Sequence, residues 1–98
     1  MKFVIAPRAL AELRDAAEFY SASGNARLAN AFVAEFERAA AQIGKNPVVG
    51  ASFRQRWRRY VLRRFPYSVI YVVASDEILV IAVAHHRRRP AYWASEPT

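Results

Sequence analysis

The fold is decided by residues 67–84, which read YSVIYVVASDEILVIAVA. The first part, Tyr67 to Ala74, is rich in β-branched and aromatic residues and is apolar on both faces, as expected for a central strand. Ser75-Asp76-Glu77 then forms a turn that lacks glycine. A second apolar run of strand length follows, Ile78 to Ala84. These residues therefore predict two strands joined by a turn.

The segment before this stretch also has the period of a strand. Trp57 to Phe65 is compatible with a strand and places Arg59 and Arg63 on the same face. Pro66 interrupts the segment, because proline has no N–H to donate to a neighbouring strand. We therefore expect a bend or a sheet edge at Pro66.

The first half of the chain has helical periodicity instead. Pro7 suits the first turn of a helix, where a missing N–H has no consequence. Gly24 is a stop signal, Asn25 can cap a second helix, and Gly44 and Pro47 close that helix. Apolar residues recur every three or four positions at Leu10, Leu13, Ala17 and Tyr20, and again at Leu28, Phe32, Phe36, Ala40 and Ile43.

With a short first strand at Lys2 to Ala6, the predicted element order is β-α-α-β-β-β. Consecutive helices next to a run of strands indicate the α+β class. We expect a helical hairpin packed on an antiparallel sheet. The 98 residues suffice for one core, so residues 1–98 are predicted to form a single domain.

Positive charge is concentrated in the second half of the chain. The net charge is +7, and residues 51–98 hold nine arginines against three acids, whereas residues 1–50 are nearly balanced. Thirteen of the fifteen basic residues are arginine, which suits bidentate and stacking contacts better than lysine does. The pattern predicts docking to nucleic acid or to an acidic protein.

The last predicted strand runs directly into HHRRRPAYW, residues 85–93. Histidines, arginines and aromatic residues bind phosphate, stack on bases or contact an acidic partner. We therefore place the candidate functional surface at this C-terminal rim. A structural role stays open for His85, which can close the sheet at a strand end, and for Trp93, which can fix the tail to the sheet.

Composition argues against several kinds of site. Cysteine is absent, so the chain has no disulfide and no thiol nucleophile. The two histidines are adjacent and no carboxylate lies at a ligand spacing from them, so we expect neither a metal nor a cofactor. No apolar run reaches the ~20 residues of a membrane span, and the apolar run at the N-terminus is too short for a signal peptide. We expect a cytoplasmic protein with no membrane partner.

Three separated motifs occur along the chain: Arg58-Arg59, then RRFPYSVIY at residues 63–71, then VAHHRR at residues 83–88 with Pro90 and Trp93 behind it. In this order they resemble the RelE/ParE superfamily, the toxins of type II toxin–antitoxin systems. The FPY at residues 65–67 and the C-terminal pattern look more like the ParE branch. Two positions depart from the usual pattern: arginine stands directly before the proline, and His86 stands where glycine is common.

The resemblance implies a small toxin that is neutralised by a cognate antitoxin encoded beside it. ParE-type members inhibit DNA gyrase, whereas RelE-type members cleave messenger RNA on the ribosome. We expect the gyrase activity, because the predicted strands offer no carboxylate for acid–base catalysis. Ribosome-dependent RNA cleavage and an inactive antitoxin-binding module remain the alternatives. The expected form is a hetero-oligomer with an acidic antitoxin.

Each hypothesis assigns its own residues. RNA cleavage needs an acid, a base and cations around the phosphate, and the candidates are Arg59, Arg63, His85 and Arg88. Contact with gyrase is assigned to Arg87, Arg88, Arg89, Tyr92 and Trp93. An acidic segment that folds on binding would pair with exposed arginines. The antitoxin is therefore assigned to Arg54, Arg56 and Arg58.

Overall fold

The computed structural model describes residues 1–94. The chain begins with strand β1 (Lys2–Ile5), followed by helices α1 (Pro7–Ala22) and α2 (Ala26–Lys45). Four more strands follow, and a short 3-10 helix at Tyr92–Ala94 ends the described chain. These strands are β2 (Ala51–Phe53), β3 (Trp57–Val61), β4 (Tyr67–Val73) and β5 (Glu77–His85). Of the helices in residues 1–94, none is long and apolar enough to cross a membrane.

The strands form one sheet in the order β1-β5-β4-β3-β2, with the two helices packed on it. The predicted α+β class and the helical hairpin on a sheet are therefore confirmed. The sheet is mixed rather than antiparallel throughout, because β1 pairs parallel with β5, from Lys2 opposite Glu77 to Ile5 opposite Val80. The chain between β1 and β5 includes both helices, and a connection of this length allows the two strands to run parallel. The sheet also gains the short edge strand β2, which the sequence did not predict.

Strand β3 ends earlier than its sequence pattern predicts. It stops at Val61 rather than Phe65, because the Leu62 N–H donates to the Tyr67 carbonyl and closes the connection to β4. Within this connection Arg64 has a φ of 71°, in the left-handed region that a strand does not visit. Residues 62–65 therefore form a turn.

The helix boundaries follow the sequence signals. Asn25 caps α2 as predicted, since its side-chain oxygen accepts a hydrogen bond from the Leu28 N–H at 2.9 Å. Gly24, with a φ of 80°, lies just beyond the end of α1. These two residues allow a tight connection, so α1 and α2 pack as a hairpin whose apolar seam faces the sheet.

The face of the sheet under the helices, here called the helix face, holds the larger of two hydrophobic clusters. Phe32 lies at its centre, 0% exposed, with its ring 5.2 Å from that of Phe65 and 5.1 Å from that of Tyr67. Edge-to-face packing of this kind adds to the free energy gained by burial alone. The aromatic centre thus fixes α2 against the connection between β3 and β4.

A carboxylate on α2 reinforces this attachment. Glu35 accepts two hydrogen bonds from Arg38, at 2.7 and 2.8 Å, and a third from the Arg63 N–H at 2.7 Å. The bonds from Arg38 lower the pKa of Glu35. Arg38 in turn donates to the Tyr60 hydroxyl on β3. Helix α2 is therefore joined to β3 and to the turn beyond it by polar as well as apolar contacts.

Candidate functional site

The opposite face of the sheet, the tail face, is covered by the chain itself. After β5, residues 86–94, here called the tail, fold back across β5 and β4, and Ala91 adopts a φ of 57°. The Trp93 ring lies 5.8 Å from that of Phe53 on β2 and 6.5 Å from that of Trp57 on β3. These aromatic contacts confirm that Trp93 fixes the tail to the sheet. They form a second hydrophobic cluster, smaller than that of the helix face.

A β-bulge decides which side chains of β5 reach the tail face. Ile70 pairs with Ala82 but Tyr71 pairs with Val80, so Ile81 is an extra residue in β5. Because side chains alternate along a strand, this extra residue reverses their direction. Val80 lies in the helix-face cluster, whereas Ala82 lies in the tail-face cluster. The reversal also brings His86, just beyond β5, to the tail face.

Three polar side chains meet on the tail face. Arg59 donates from Nε to the Ser68 hydroxyl at 3.1 Å, and Ser68 Oγ lies 2.9 Å from His86 Nε2. Ser68 is only 1% exposed. Because its oxygen already accepts from Arg59, its hydroxyl hydrogen is available to donate to His86 Nε2. Desolvation, together with the positive charge of Arg59, lowers the pKa of His86 below its usual value of 6.5.

The network lines a pocket of about 120 Å³ between the sheet and the tail, here called the tail pocket. Its remaining walls are apolar side chains and further basic residues. Among residues 1–94, no Asp or Glu lines this pocket. The lining residues are Phe53, Arg59, Ser68, Ile70, Ala84, His85, His86, Arg88, Arg89, Pro90, Ala91, Tyr92 and Trp93.

A carboxylate on α1 joins the tail to the sheet. Glu12 accepts a hydrogen bond from the Val83 N–H at 2.9 Å and another, a short one, from the Tyr92 hydroxyl. Burial raises the pKa of Tyr92, and the hydrogen bond to Glu12 raises it further. Arg88 lies over the Tyr92 ring, 3.9 Å from its centroid. Glu12 therefore anchors the ring on which an exposed arginine of the tail rests.

The structure brings together three of the four residues assigned to RNA cleavage. Arg59, His85 and Arg88 all line the tail pocket. Arg63 does not join them, because β3 has ended before it and its N–H donates to Glu35 on α2. The prediction that Arg59 and Arg63 share a strand face is therefore wrong.

His85 lies at the end of β5 as predicted. Its ring packs edge-to-face against Tyr67 with 4.9 Å between centroids, and its Nδ1 accepts a hydrogen bond from the Arg87 N–H at 3.0 Å. This acceptor role closes the turn into the tail. His86 is the histidine that hydrogen-bonds Ser68, while the residue as a whole is exposed.

The residues assigned to gyrase contact divide into two groups. Arg87, Arg88 and Arg89 are exposed. Tyr92 and Trp93 are buried, 4% and 8% exposed, within the tail-face cluster. The arginines thus present charge at the surface, and the two aromatic residues hold the segment that carries them.

The three arginines assigned to the antitoxin do not share one surface. Arg54 and Arg56 lie in the connection between β2 and β3, stacked over the rings of Phe53 and Trp57 at 5.1 and 5.5 Å. Arg58 lies within β3 and donates to the Gly50 carbonyl at 2.8 Å. Of these three arginines, Arg54 and Arg56 are therefore an exposed pair on the connection, whereas Arg58 is half-buried.

Sequence reasoning missed Ser68 and Glu12. Ser68 was the one polar residue inside the apolar run of β4, which is the signal that would have found it. Glu12 carries no such signal, because its partners Val83 and Tyr92 are far away in the sequence. Residues 1–94 contain no group of three or more histidine and acidic side chains placed to hold a metal ion.

Comparison with known proteins agrees with this arrangement. The family model described as the ParE toxin of the type II toxin–antitoxin system parDE matches residues 3–90. A solved structure from a chromosomal ParDE toxin–antitoxin system of P. aeruginosa has a similar fold, with a TM-score of 0.75 and 20% identity. The match covers 87% of this chain and 95% of that one. No curated protein matches the sequence. Because the family model spans nearly the whole chain, the protein belongs to the ParE toxin family of type II toxin–antitoxin systems.

Proposed function

We propose that this toxin inhibits DNA gyrase by direct protein contact. The observation that carries the proposal is the family match over residues 3–90, because ParE-type toxins are gyrase inhibitors. The exposed Arg87, Arg88 and Arg89 form the contact surface, and the buried Tyr92 and Trp93 hold it in place. The absence of a carboxylate from the tail pocket in residues 1–94 supports inhibition over RNA cleavage, which would have to use His85 or His86 for its acid–base steps there.

The toxin is neutralised in the cytoplasm by an acidic antitoxin encoded beside it, and the two form a hetero-oligomer. Arg54 and Arg56 are exposed on the connection between β2 and β3, and stacking on Phe53 and Trp57 restricts the positions of their guanidinium groups. Preorganised charges of this kind steer an acidic partner and set its orientation. Arg58 has its guanidinium on the Gly50 carbonyl and contributes positive potential beside this pair.

The order in which DNA synthesis and protein synthesis stop tests the proposal. DNA and protein synthesis are pulse-labelled within minutes of inducing the chain alone in a bacterium. Gyrase inhibition predicts that DNA synthesis falls first and protein synthesis later. A first collapse of protein synthesis would overturn the proposal in favour of RNA cleavage. Unaffected growth with a soluble, well-expressed chain would leave only the inactive antitoxin-binding module.

A supercoiling assay with purified gyrase locates the contact. The variant R87Q/R89Q removes two exposed charges from the tail but keeps Arg88 on the Tyr92 ring. We expect inhibition to weaken about tenfold, because charged groups at an interface contribute about 1–2 kcal/mol together. The matched control R14Q/R27Q removes two exposed arginines from the helices and is expected to inhibit like the unaltered toxin. Equal loss in both variants would assign the effect to net charge rather than to the tail.

A further inference from the structure

We propose that the tail pocket is a binding site for a nucleoside monophosphate, with the phosphate held by Arg59 and the base lying against Phe53. This site shares Arg88 and Arg89 with the surface assigned to gyrase, but its lining includes none of the arginines assigned to the antitoxin. It would make the toxin a nucleotide-binding protein whatever its target.

The charge of the lining selects an anion. Arg59, Arg88 and Arg89 all line the pocket, with His86 beside them. Among residues 1–94 no carboxylate lines it, and Glu12, which lies behind Tyr92, already accepts from Val83 and from that tyrosine. Three guanidinium groups without a counter-charge in a recess that excludes part of the solvent create a strong positive potential.

Donors inside the pocket are left without acceptors. The hydrogen bond to Ser68 uses Arg59 Nε, and within residues 1–94 the two terminal nitrogens of Arg59 make no hydrogen bond to the protein. The indole nitrogen of Trp93 is buried and likewise has no partner in the described chain. Arg59 is exposed, so water can satisfy its terminal nitrogens, whereas a buried donor such as the Trp93 indole N–H is nearly always satisfied in folded proteins. A ligand rich in acceptor oxygens would replace water at Arg59 and supply an acceptor beside Trp93.

The hydroxyl of Ser68 preorganises Arg59 for binding an anion. By accepting from Nε, the hydroxyl fixes the plane of the guanidinium and leaves its far edge free for two parallel hydrogen bonds. Such forked contacts are typical of arginine with phosphate or carboxylate. A phosphate monoester carries about −1.5 to −2 charges at neutral pH, whereas a carboxylate carries one. The pocket with three arginines therefore favours the phosphate.

The dimensions limit how much of the ligand enters. A volume of about 120 Å³ accommodates a phosphate and its ester oxygen, but it is well below the several hundred Å³ of a pocket that encloses a whole cofactor. The rest of the ligand must lie along the rim, where the half-buried Phe53 provides aromatic surface and the buried Trp93 packs against it. A flat base suits this wall, because every base offers a face for stacking.

Titration of the full-length toxin at constant ionic strength tests the site. AMP, inorganic phosphate and adenosine are compared by calorimetry and by ¹H–¹⁵N NMR of the tail and β4 amides. AMP is expected to bind at least tenfold more tightly than either fragment, since it uses both the cationic and the aromatic parts. Equal binding of phosphate and AMP would overturn the nucleotide assignment, and equal binding of adenosine would overturn the phosphate site. No shift with AMP at millimolar concentration would overturn the whole proposal.

Variants separate the pocket from general charge. R59Q is expected to weaken AMP binding about tenfold or more, because it removes a forked, charge-assisted contact. S68A keeps the charge but releases the guanidinium, so a smaller loss is expected, and its NMR spectrum reports whether the fold is kept. R27Q, outside the pocket on α2, is the matched control and should bind AMP normally. Unchanged binding in a folded R59Q or S68A variant would overturn the assignment of these residues.

Discussion

The two faces of the sheet are built from different kinds of contact. The helix face is covered by two long helices and filled by interlocking aromatic rings around Phe32. Among the described residues the tail face is covered by residues 86–94 alone, and it combines a small aromatic cluster with the Arg59–Ser68–His86 network, of which only Ser68 is buried. Stability is therefore concentrated on one face, and the chemistry able to recognise a ligand on the other. Substitutions on each of the two faces test this division.

The largest effect is expected at the centre of the helix face. Phe32→Ala removes a ring that is 0% exposed and should lower the free energy of unfolding by about 3–5 kcal/mol. Phe53→Ala, which removes a half-buried ring from the tail face, is the matched comparison and should cost clearly less. Urea denaturation followed by circular dichroism measures both. A larger loss at Phe53 would contradict the division between the faces.

The next effect lies where a loop meets the helix face. Tyr71 donates from its hydroxyl to the Pro47 carbonyl at 2.8 Å and accepts from the Gly50 N–H at 2.9 Å. A Cβ on Gly50 would lie 2.6 Å from the Tyr71 hydroxyl oxygen, so Gly50→Ala should cost about 1–3 kcal/mol. Gly44→Ala, in open space near the end of α2, should instead stabilise by up to about 1 kcal/mol. Thermal unfolding of the two variants compares them, and shifts in the same direction would be unexpected.

On the tail face, substitution of Glu12 is expected to reduce the free energy of unfolding most. Glu12→Ala removes the acceptor of the Val83 N–H and the hydrogen bond that anchors Tyr92. The expected loss is about 1–3 kcal/mol, with faster amide hydrogen exchange in residues 86–94. Glu18→Ala, exposed on the same helix, is the control and should change stability by less than about 0.5 kcal/mol. If exchange rises in the helices and not in the tail, Glu12 does not have the role described.

The smallest effect is a dependence on pH. The pKa of His86 is lower in the folded protein than its usual value of 6.5, so below that value the unfolded chain binds more protons than the folded one. Stability from this residue is therefore complete above pH 6.5 and is lost as the pH falls toward the folded pKa. Unfolding free energies between pH 7.5 and about 5.5 should show this decline, and His86→Gln should reduce its slope. An unchanged slope in that variant would be evidence against the desolvated network.

The sequence predicts those features of the two faces that depend on local signals, and it does not predict those that depend on pairing between distant strands. The helices could be predicted from local periodicity and from residues such as Asn25, because a cap contacts its own first turn. The face on which His86 lies could not, because the bulge at Ile81 is a property of the pairing between two strands. The same holds for Arg63, whose predicted strand is ended by a hydrogen bond between Leu62 and Tyr67. Local pattern thus predicted the helix face well and the tail face only in part.

The parallel pairing of β1 with β5 determines when the toxin can complete its folding. Lys2 lies opposite Glu77, so β1 has to wait for β5, the last of the described strands to be synthesised. Contacts so distant in sequence form slowly, after the helical hairpin, whose contacts are local. The ribosome must release most of the chain before the sheet can close and the tail can cover it. The toxin can therefore fold only after β5 has been translated. This delay gives an antitoxin that is already present time to bind it.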